Sequence, residues 1–190
     1  MRLAYADPPY LGQARKHYGP EAREVDHALL IAHLLEFDGW ALSLSSPSIS
    51  KIAPLLPEGV RWGAWVKPFA SFKPGVNPAY AWEPVVFKPA RTLGEDVDTA
   101  RDWVRANITL RRGVSGAKPV AFCRWLFAML GAERTDQFHD LFPGSGAVND
   151  AWIAWVMECP LPLTPGKPVR YLEPVGSSAP PKGGNNAPGA

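Results

Sequence analysis

An open α/β sheet is the fold predicted for this chain, because strand-like apolar runs alternate with amphipathic helical stretches along its length. A second observation supports it. Two loops of unusual composition, at residues 7–10 and 143–146, each follow a strand-like run directly, and open α/β sheets bind ligands at the carboxyl ends of their strands. The third is size: 190 residues with 46% hydrophobic content suit a single domain with its own core.

In order along the chain, Arg2 to Ala6 reads as a short strand ending at Asp7, and residues 11–20 read as a polar Gly/Pro loop. Glu24 to Phe37 carries Val25, Leu29, Leu30, Leu34 and Leu35 at helical spacing, and Asp38-Gly39 ends that helix. Trp40 to Ser45 is a buried strand. Ser48 to Leu56 is a short helix limited by Pro54. Trp62 to Val66 and Glu83 to Lys88 are strands on either side of a Gly/Pro/Asn loop. Residues 89–117 are polar and mixed. Pro119 to Gly131 is a helix, Phe138 to Phe142 a strand, and Ala147 to Met157 a helix. About five strands result. Many of the 21 prolines follow strand-like runs, where they stop ladders from extending. The domain is expected over residues 1–172, and 173–190 (GSSAPPKGGNNAPGA and its approach) is expected to be a disordered low-complexity tail.

Composition excludes several classes. Cys123 and Cys159 form no CxxC pair and the four histidines have no ligand spacing, so neither a disulfide framework nor a metal site is expected. No run reaches membrane-spanning length, so no membrane partner is expected and the setting is expected to be cytoplasmic. A net charge of +2 is compatible with nucleic-acid binding without arguing for it.

Asp7-Pro8-Pro9-Tyr10 carries the clearest chemistry. An exocyclic amine on a base is a poor nucleophile, because its lone pair is delocalised into the ring. A carboxylate and a backbone carbonyl that accept its two hydrogens draw the nitrogen toward a tetrahedral, more nucleophilic form. The prolines stiffen the turn and lack N–H groups, which leaves the Pro8 carbonyl free to face a substrate. Tyr10 offers a ring for a base swung out of its helix. The plainer alternative is a rigid turn whose Asp caps local backbone. Asp140-Leu141-Phe142-Pro143-Gly144-Ser145-Gly146 runs strand, glycine turn, helix. It suits close approach of a ligand to backbone N–H donors. It has no GxxxxGK[ST] lysine pattern, so an ATP-binding loop is disfavoured.

Taken together, the motifs resemble the DNA amino-methyltransferases whose catalytic motif precedes the cofactor motif, the β class, in a small, phage-like form. Asp7 to Tyr10 is similar to the catalytic motif, and Trp40-Ala41-Leu42-Ser43 to the next strand. Trp65-Val66-Lys67-Pro68 and Trp82 to Lys88 resemble the "W-x-K" and "E-x-x-x-x-x-K" strands. Lys118-Pro119 resembles the Lys-Pro helix start, and Asp140 to Gly146 the "D-x-F-x-G-S-G" cofactor motif. The resemblance implies a Rossmann-like sheet and S-adenosylmethionine as cofactor. It implies Asp7, Pro8, Pro9 and Tyr10 as catalytic residues. It also implies Lys118, Asp140, Phe142, Gly144, Ser145 and Gly146 around the methionine part of the cofactor. Without the resemblance, Lys118 reads as a solvated side chain beside a helix-starting proline, and Trp65 and Trp82 read as core.

Two departures from that pattern stand out. The strands that follow the cofactor motif in the family have no counterpart here, since Pro160, Pro162 and Pro165 come at once. The sheet therefore reads as truncated, with the adenine side open or completed by the tail or a second subunit. The recognition region is also short, at residues 89–117. Its arginines (Arg91, Arg101, Arg105, Arg111 and Arg112) suit phosphates or guanine edges, and a solvated helix face around Asp98 to Asn107 explains them equally well. Arg15 and Lys16 border the expected base pocket, so the expected DNA contacts are Arg15, Lys16, Arg111 and Arg112.

The resemblance implies methylation of a DNA base amine, with adenine N6 favoured because Asp begins the motif and cytosine N4 as the alternative. A weak or inactive DNA- or partner-binding relative is the rival from another class, and RNA or a protein amide ranks last. DNA is the expected partner, a homodimer is a further possibility, and protection within restriction-modification is the expected role.

Overall fold

The computed structural model describes residues 1–15, 19–21, 23–68, 74–94, 99–109 and 117–158. The first strand, β1 (Arg2–Ala6), opens on an exposed Arg2 and is continuously non-charged and buried from Leu3 onward. Strands buried on both faces read as continuous apolar runs rather than alternating ones. Helix α1 (His27–Leu34) begins at Asp26, whose side chain accepts from the Ala28 and Leu29 amides at 2.9 and 3.1 Å. That cap sets the start three residues later than the apolar spacing suggested. Strand β2 (Gly39–Ser43) is buried at every position.

A single α-turn, α2 (Ile49–Ile52), follows between 3-10 turns at Ser46–Ser48 and Ala53–Leu55. Then come β3 (Arg61–Val66), β4 (Trp82–Lys88), β5 (Trp103–Arg105), α3 (Val120–Leu130), β6 (Gln137–Asp140) and α4 (Ala147–Glu158). Helix α3 stops at Gly131, which adopts a left-handed φ of 66° that favours glycine.

The sheet has six strands in the order β5-β3-β4-β2-β1-β6. Strand β1 runs parallel to both β2 and β6, while β4 runs antiparallel to β2 and β3. The sixth strand corrects the count of about five and the helix face weighed around Asp98 to Asn107. Trp103 to Arg105 pairs parallel with Ala64 to Val66 instead. Gly63 makes room for it: a Cβ there would lie 2.9 Å from the Asp102 carbonyl and 2.9 Å from the Trp125 ring. Three residues with mixed polarity carry too little periodicity to reveal a strand.

Two cores flank the sheet. One holds Phe122, Leu126, Phe127 and Leu130 of α3 against Tyr5, Trp65, Val85 and Phe87. The other packs Leu30, Ile31 and Leu34 of α1 over Ala4, Trp40, Leu42 and Val86. Because the chain leaves β1 toward β2 on one side and returns to β6 on the other, the carboxyl end of β1 is a topological switch point. Residues 159–190 lie outside the described residues, and with them the expected truncation, tail and domain end. Among the described residues no helix is long and apolar enough to cross a membrane.

Candidate active site

Asp7 leaves the end of β1 at that switch point. Its Oδ1 lies 3.0 Å from the Lys118 Nζ, which also donates to Glu83 Oε1 at 2.5 Å. The other Glu83 oxygen, Oε2, accepts from Lys67 Nζ at 2.9 Å and from the Tyr10 hydroxyl at 2.7 Å. One buried carboxylate therefore ties together the Asp7–Tyr10 turn, the end of β3 and the start of α3. Pro8 is buried, and Pro9 lies half-buried between Asp7 and Tyr10. Beneath the turn, Tyr5 and Ser43 share a buried hydrogen bond of 2.7 Å between their hydroxyls.

Local sequence explains each placement. Glu83 and Trp65 lie in register on β4 and β3 and point into the α3 side of the sheet. Lys67 follows Trp65 by two residues, so it reaches the same face. Its Nζ stands 4.5 Å from the Trp65 ring centroid, and the Lys118 Nζ stands 5.2 Å from it. Trp65 donates from Nε1 to the Ala106 carbonyl at 2.9 Å, which satisfies its polar atom in the core.

Burial and mutual attraction shift the titrations of Glu83, Asp7, Lys118 and Tyr10. Burial disfavours the ionised Glu83, but Lys118 and then Lys67 outweigh it and hold the carboxyl at about 2. Burial raises Asp7 above the usual carboxylate value; Lys118 opposes this and the nearby Glu83 adds to it. Burial lowers Lys118, yet Asp7 and Glu83 more than compensate and keep it protonated. Burial and then Glu83 push the Tyr10 phenol well up, so it stays a neutral donor.

The glycine loop lies alongside. Asp140 stands opposite Tyr5 in the β1–β6 register, and its Oδ1 accepts from the Phe142 amide at 3.3 Å. Its Oδ2 is buried and has no hydrogen-bond partner among the described residues. Burial is the main cause that raises its carboxyl, and Asp7 adds to it. Gly144 and Gly146 have φ of 45° and 76°. The Gly146 amide donates to the Pro143 carbonyl at 2.7 Å, and Ser145 Oγ accepts from the Ala147 amide at 3.3 Å at the start of α4. Counting Asp7, Glu83 and Asp140 against Lys67 and Lys118, three carboxylates face two ammonium groups. When all are ionised the cluster is negative by one charge and suits a cationic ligand group.

The structure thus brings Asp7, Tyr10 and Lys118 into one bonded network, with Asp140 beside it. Lys118 is not a solvated side chain, being 7% exposed. Phe142 is part-buried and packs against the α1-side core. Trp65 is core as expected, but Trp82 is a correction: it is 41% exposed, because alternate residues of β4 face opposite sides and Glu83 takes the inward one. Arg91 is engaged within the fold. It forms paired 2.8 Å bonds with Asp136 and also binds the Gly131 carbonyl. Arg15 is exposed and lines a cleft with Glu21, Arg23 and Glu24. Lys16, Arg111 and Arg112 lie outside the described residues.

Of the histidines, His27 is buried at the start of α1 and His139 packs edge-on against Phe37, and neither bonds the cluster. Cys123 is buried and its thiol is pushed up to about 12 by burial. No metal-binding group of His, Cys, Asp or Glu occurs among the described residues. The sequence reading gave no role to Glu83 or Lys67. Their signal was available as a Glu and a Lys bordering the apolar stretches Pro84–Phe87 and Trp62–Val66.

No family model matches the chain, and no curated protein does. Among solved structures it is similar to the crystal structure of the M1.HpyAVI–SAM complex. That match has a TM-score of 0.57 and 17% identity, over 82% of this chain and 78% of that one. The two chains share a fold. A second crystal structure of M1.HpyAVI aligns with a TM-score of 0.46 and 18% identity, over 82% of this chain and 76% of that one. The mixed six-stranded sheet with flanking helices is the architecture in common with the M1.HpyAVI–SAM complex.

Proposed function

We propose that this chain transfers a methyl group from S-adenosylmethionine to an exocyclic amine of a DNA base, the N6 amine of adenine. The observation that carries the reading is Asp7 at the carboxyl end of β1, bonded through Lys118 to Glu83 and lying beside the Asp140–Gly146 loop. The fold shared with M1.HpyAVI, solved as its SAM complex, supports the same reading.

The residues present fit the cofactor. The buried Asp140 Oδ2, without a partner among the described residues, and the excess negative charge suit its sulfonium and ammonium groups. The glycine turn and the first amides of α4 suit close contact with the rest. When bound, the cofactor supplies an electrophilic methyl group. The chain supplies the rest. Asp7 and the Pro8 carbonyl accept the two amine hydrogens and orient the nitrogen lone pair toward that methyl. Tyr10, fixed through its hydroxyl by Glu83, presents its ring to the base. The methylated nitrogen would then give up one proton, to the Asp7 carboxylate or to water.

Adenine is favoured over cytosine because Asp, not Ser, begins the turn. Arg15, with Lys16, Arg111 and Arg112, is proposed to contact DNA, and protection from restriction is the proposed role. The test is transfer of label from tritiated S-adenosylmethionine to mixed-sequence DNA, followed by mass spectrometry of the nucleosides. N6-methyladenine is expected. N4-methylcytosine moves the reading to the cytosine amine, and no label in DNA despite cofactor binding overturns it.

A further inference from the structure

The outer half of the sheet carries a bare aromatic face. Trp62 of β3, Trp82 of β4 and Trp103 of β5 are 37%, 41% and 44% exposed. Alternate residues of a strand share a face, and register partners on neighbouring strands share it too. Trp103 stands opposite Ala64, while Val66 stands opposite both Trp82 and Arg105. The three tryptophans therefore project from one side of three adjacent strands, over a low floor of Ala64, Val66 and Pro84.

The reverse side of the same strands, with Trp65, Glu83 and Val85, is buried under α3. The bare side has a simple cause. The segment between β2 and β3 folds only as α2 and its two 3-10 turns. That is enough to pack Ile52 and Leu56 with Trp40 and Val86, in the core nearer the sheet's centre.

Charge identifies the occupant. The acidic residue within β3, β4 and β5 is Glu83, which points the other way. The bare face carries Arg105 and Lys88, both exposed, and Arg101 lies with its guanidinium carbon 5.7 Å from the Trp103 ring centroid. Flat rings with cations, and no acid on this side of the three strands themselves, suit nucleobases joined by phosphates, since every base offers a π-face and every phosphate a negative charge. At the Trp82 end a groove of about 440 Å³, lined by Ser46, Pro47 and Tyr80, continues the face. Trp82 is also the direct neighbour of Glu83 in the candidate active site.

We propose that Trp62, Trp82 and Trp103, with Arg101 and Arg105, form a stacking surface for a single-stranded segment of nucleic acid. The surface is carried by its own residues and does not depend on methyl transfer.

The test uses the full chain and a fluorescein-labelled single-stranded DNA oligonucleotide, read by anisotropy over a salt series. Trp62→Leu/Trp103→Leu is expected to weaken binding about tenfold or more. Arg101→Gln/Arg105→Gln is expected to flatten the dependence of log affinity on log salt by roughly 1.4, or about 0.7 for each lost phosphate contact. Both outcomes support the surface. If the tryptophan variant does not fold, as judged by circular dichroism, the arginine variant decides alone through the salt slope.

Wild-type affinity in both variants overturns the proposal. So does a wild-type chain that binds no oligonucleotide and instead self-associates in sedimentation, with that association lost in the tryptophan variant. The two readings fail separately. Oligonucleotide binding without methyl transfer leaves the surface standing alone, and methyl transfer with unaltered KM in both variants and no oligonucleotide binding leaves the reaction standing alone.

Discussion

The Lys118 ammonium stands 3.0 Å from the Asp7 carboxylate and is itself buried. It also serves Glu83, so one cation stands between two carboxylates that otherwise repel each other. Replacing it by a side chain of similar length without charge, Lys118→Met, leaves both acids facing a dry site. Asp7 must then rise further, because its largest favourable charge is gone. The acid limb of the pH–rate profile for methyl transfer is expected to move to higher pH. Equilibrium unfolding is expected to show a loss of about 3 kcal/mol, typical of breaking a buried pair on one side. An unshifted acid limb would remove Lys118 from the electrostatics of Asp7.

Asp7 should trade stability for function. Its native carboxyl is raised above the ordinary 3.8, mainly by burial. A raised acid folds best when protonated, so its contribution is present below the unfolded value and lost as pH rises through the folded one. At neutral pH the ionised group is therefore a burden on the fold. Asp7→Asn is expected to abolish methyl transfer and raise the thermal midpoint at pH 7.5, with that gain fading near pH 3. A lower midpoint at pH 7.5 would contradict the assignment.

Tyr10 and Glu83 should act as a unit. The phenol donates to Glu83 Oε2 at 2.7 Å, which fixes the ring at the mouth of the site. Tyr10→Phe keeps the ring but frees it, and Glu83→Gln keeps the shape but removes the charged acceptor. Each is expected to lower kcat/KM. The double variant is expected to lose less than the sum of the two in free energy, as residues sharing one network do. Additive losses in kcat/KM would show that the bond does not orient the ring for reaction.

The sequence revealed the central sheet better than its outer edge, and half of the site. Arg2 to Ala6, Trp40 to Ser43 and Val120 to Leu130 were legible because continuous apolar runs and helical spacing are strong signals. Asp7 to Tyr10 and Asp140 to Gly146 were legible because rare residue combinations stood at strand ends. Glu83 escaped notice because one acid in an apolar strand looks like an edge residue until its two lysines are located, and these lie 16 and 35 positions away. Trp103 to Arg105 escaped because its strand identity comes from Gly63, which admits it, and from its pairing with β3. Arg91 looked like a phosphate ligand because its partner, Asp136, lies 45 positions on.

The Arg91–Asp136 pair gives a prediction independent of the reaction. Asp136 is buried near the start of β6. Burial opposes its ionisation, but its bonds from Arg91, the N-terminal ammonium and the Glu133 amide hold its carboxyl at about 2. An acid depressed in the fold contributes stability above its unfolded value, near 3.9, and loses it as pH falls through its folded value. The window lies between about pH 4 and pH 2, and Asp136 accounts for roughly 2 kcal/mol within it. Glu83, also at about 2, loses stability over the same range. Arg91→Met separates the two, because it removes the main support of Asp136 and leaves Glu83 with both lysines. Urea unfolding at pH 6 and pH 2.5 is expected to show a smaller stability difference in Arg91→Met than in the wild type, with a lower stability at pH 6. An equal difference in the two proteins would mean that Arg91 does not hold Asp136 in its charged form.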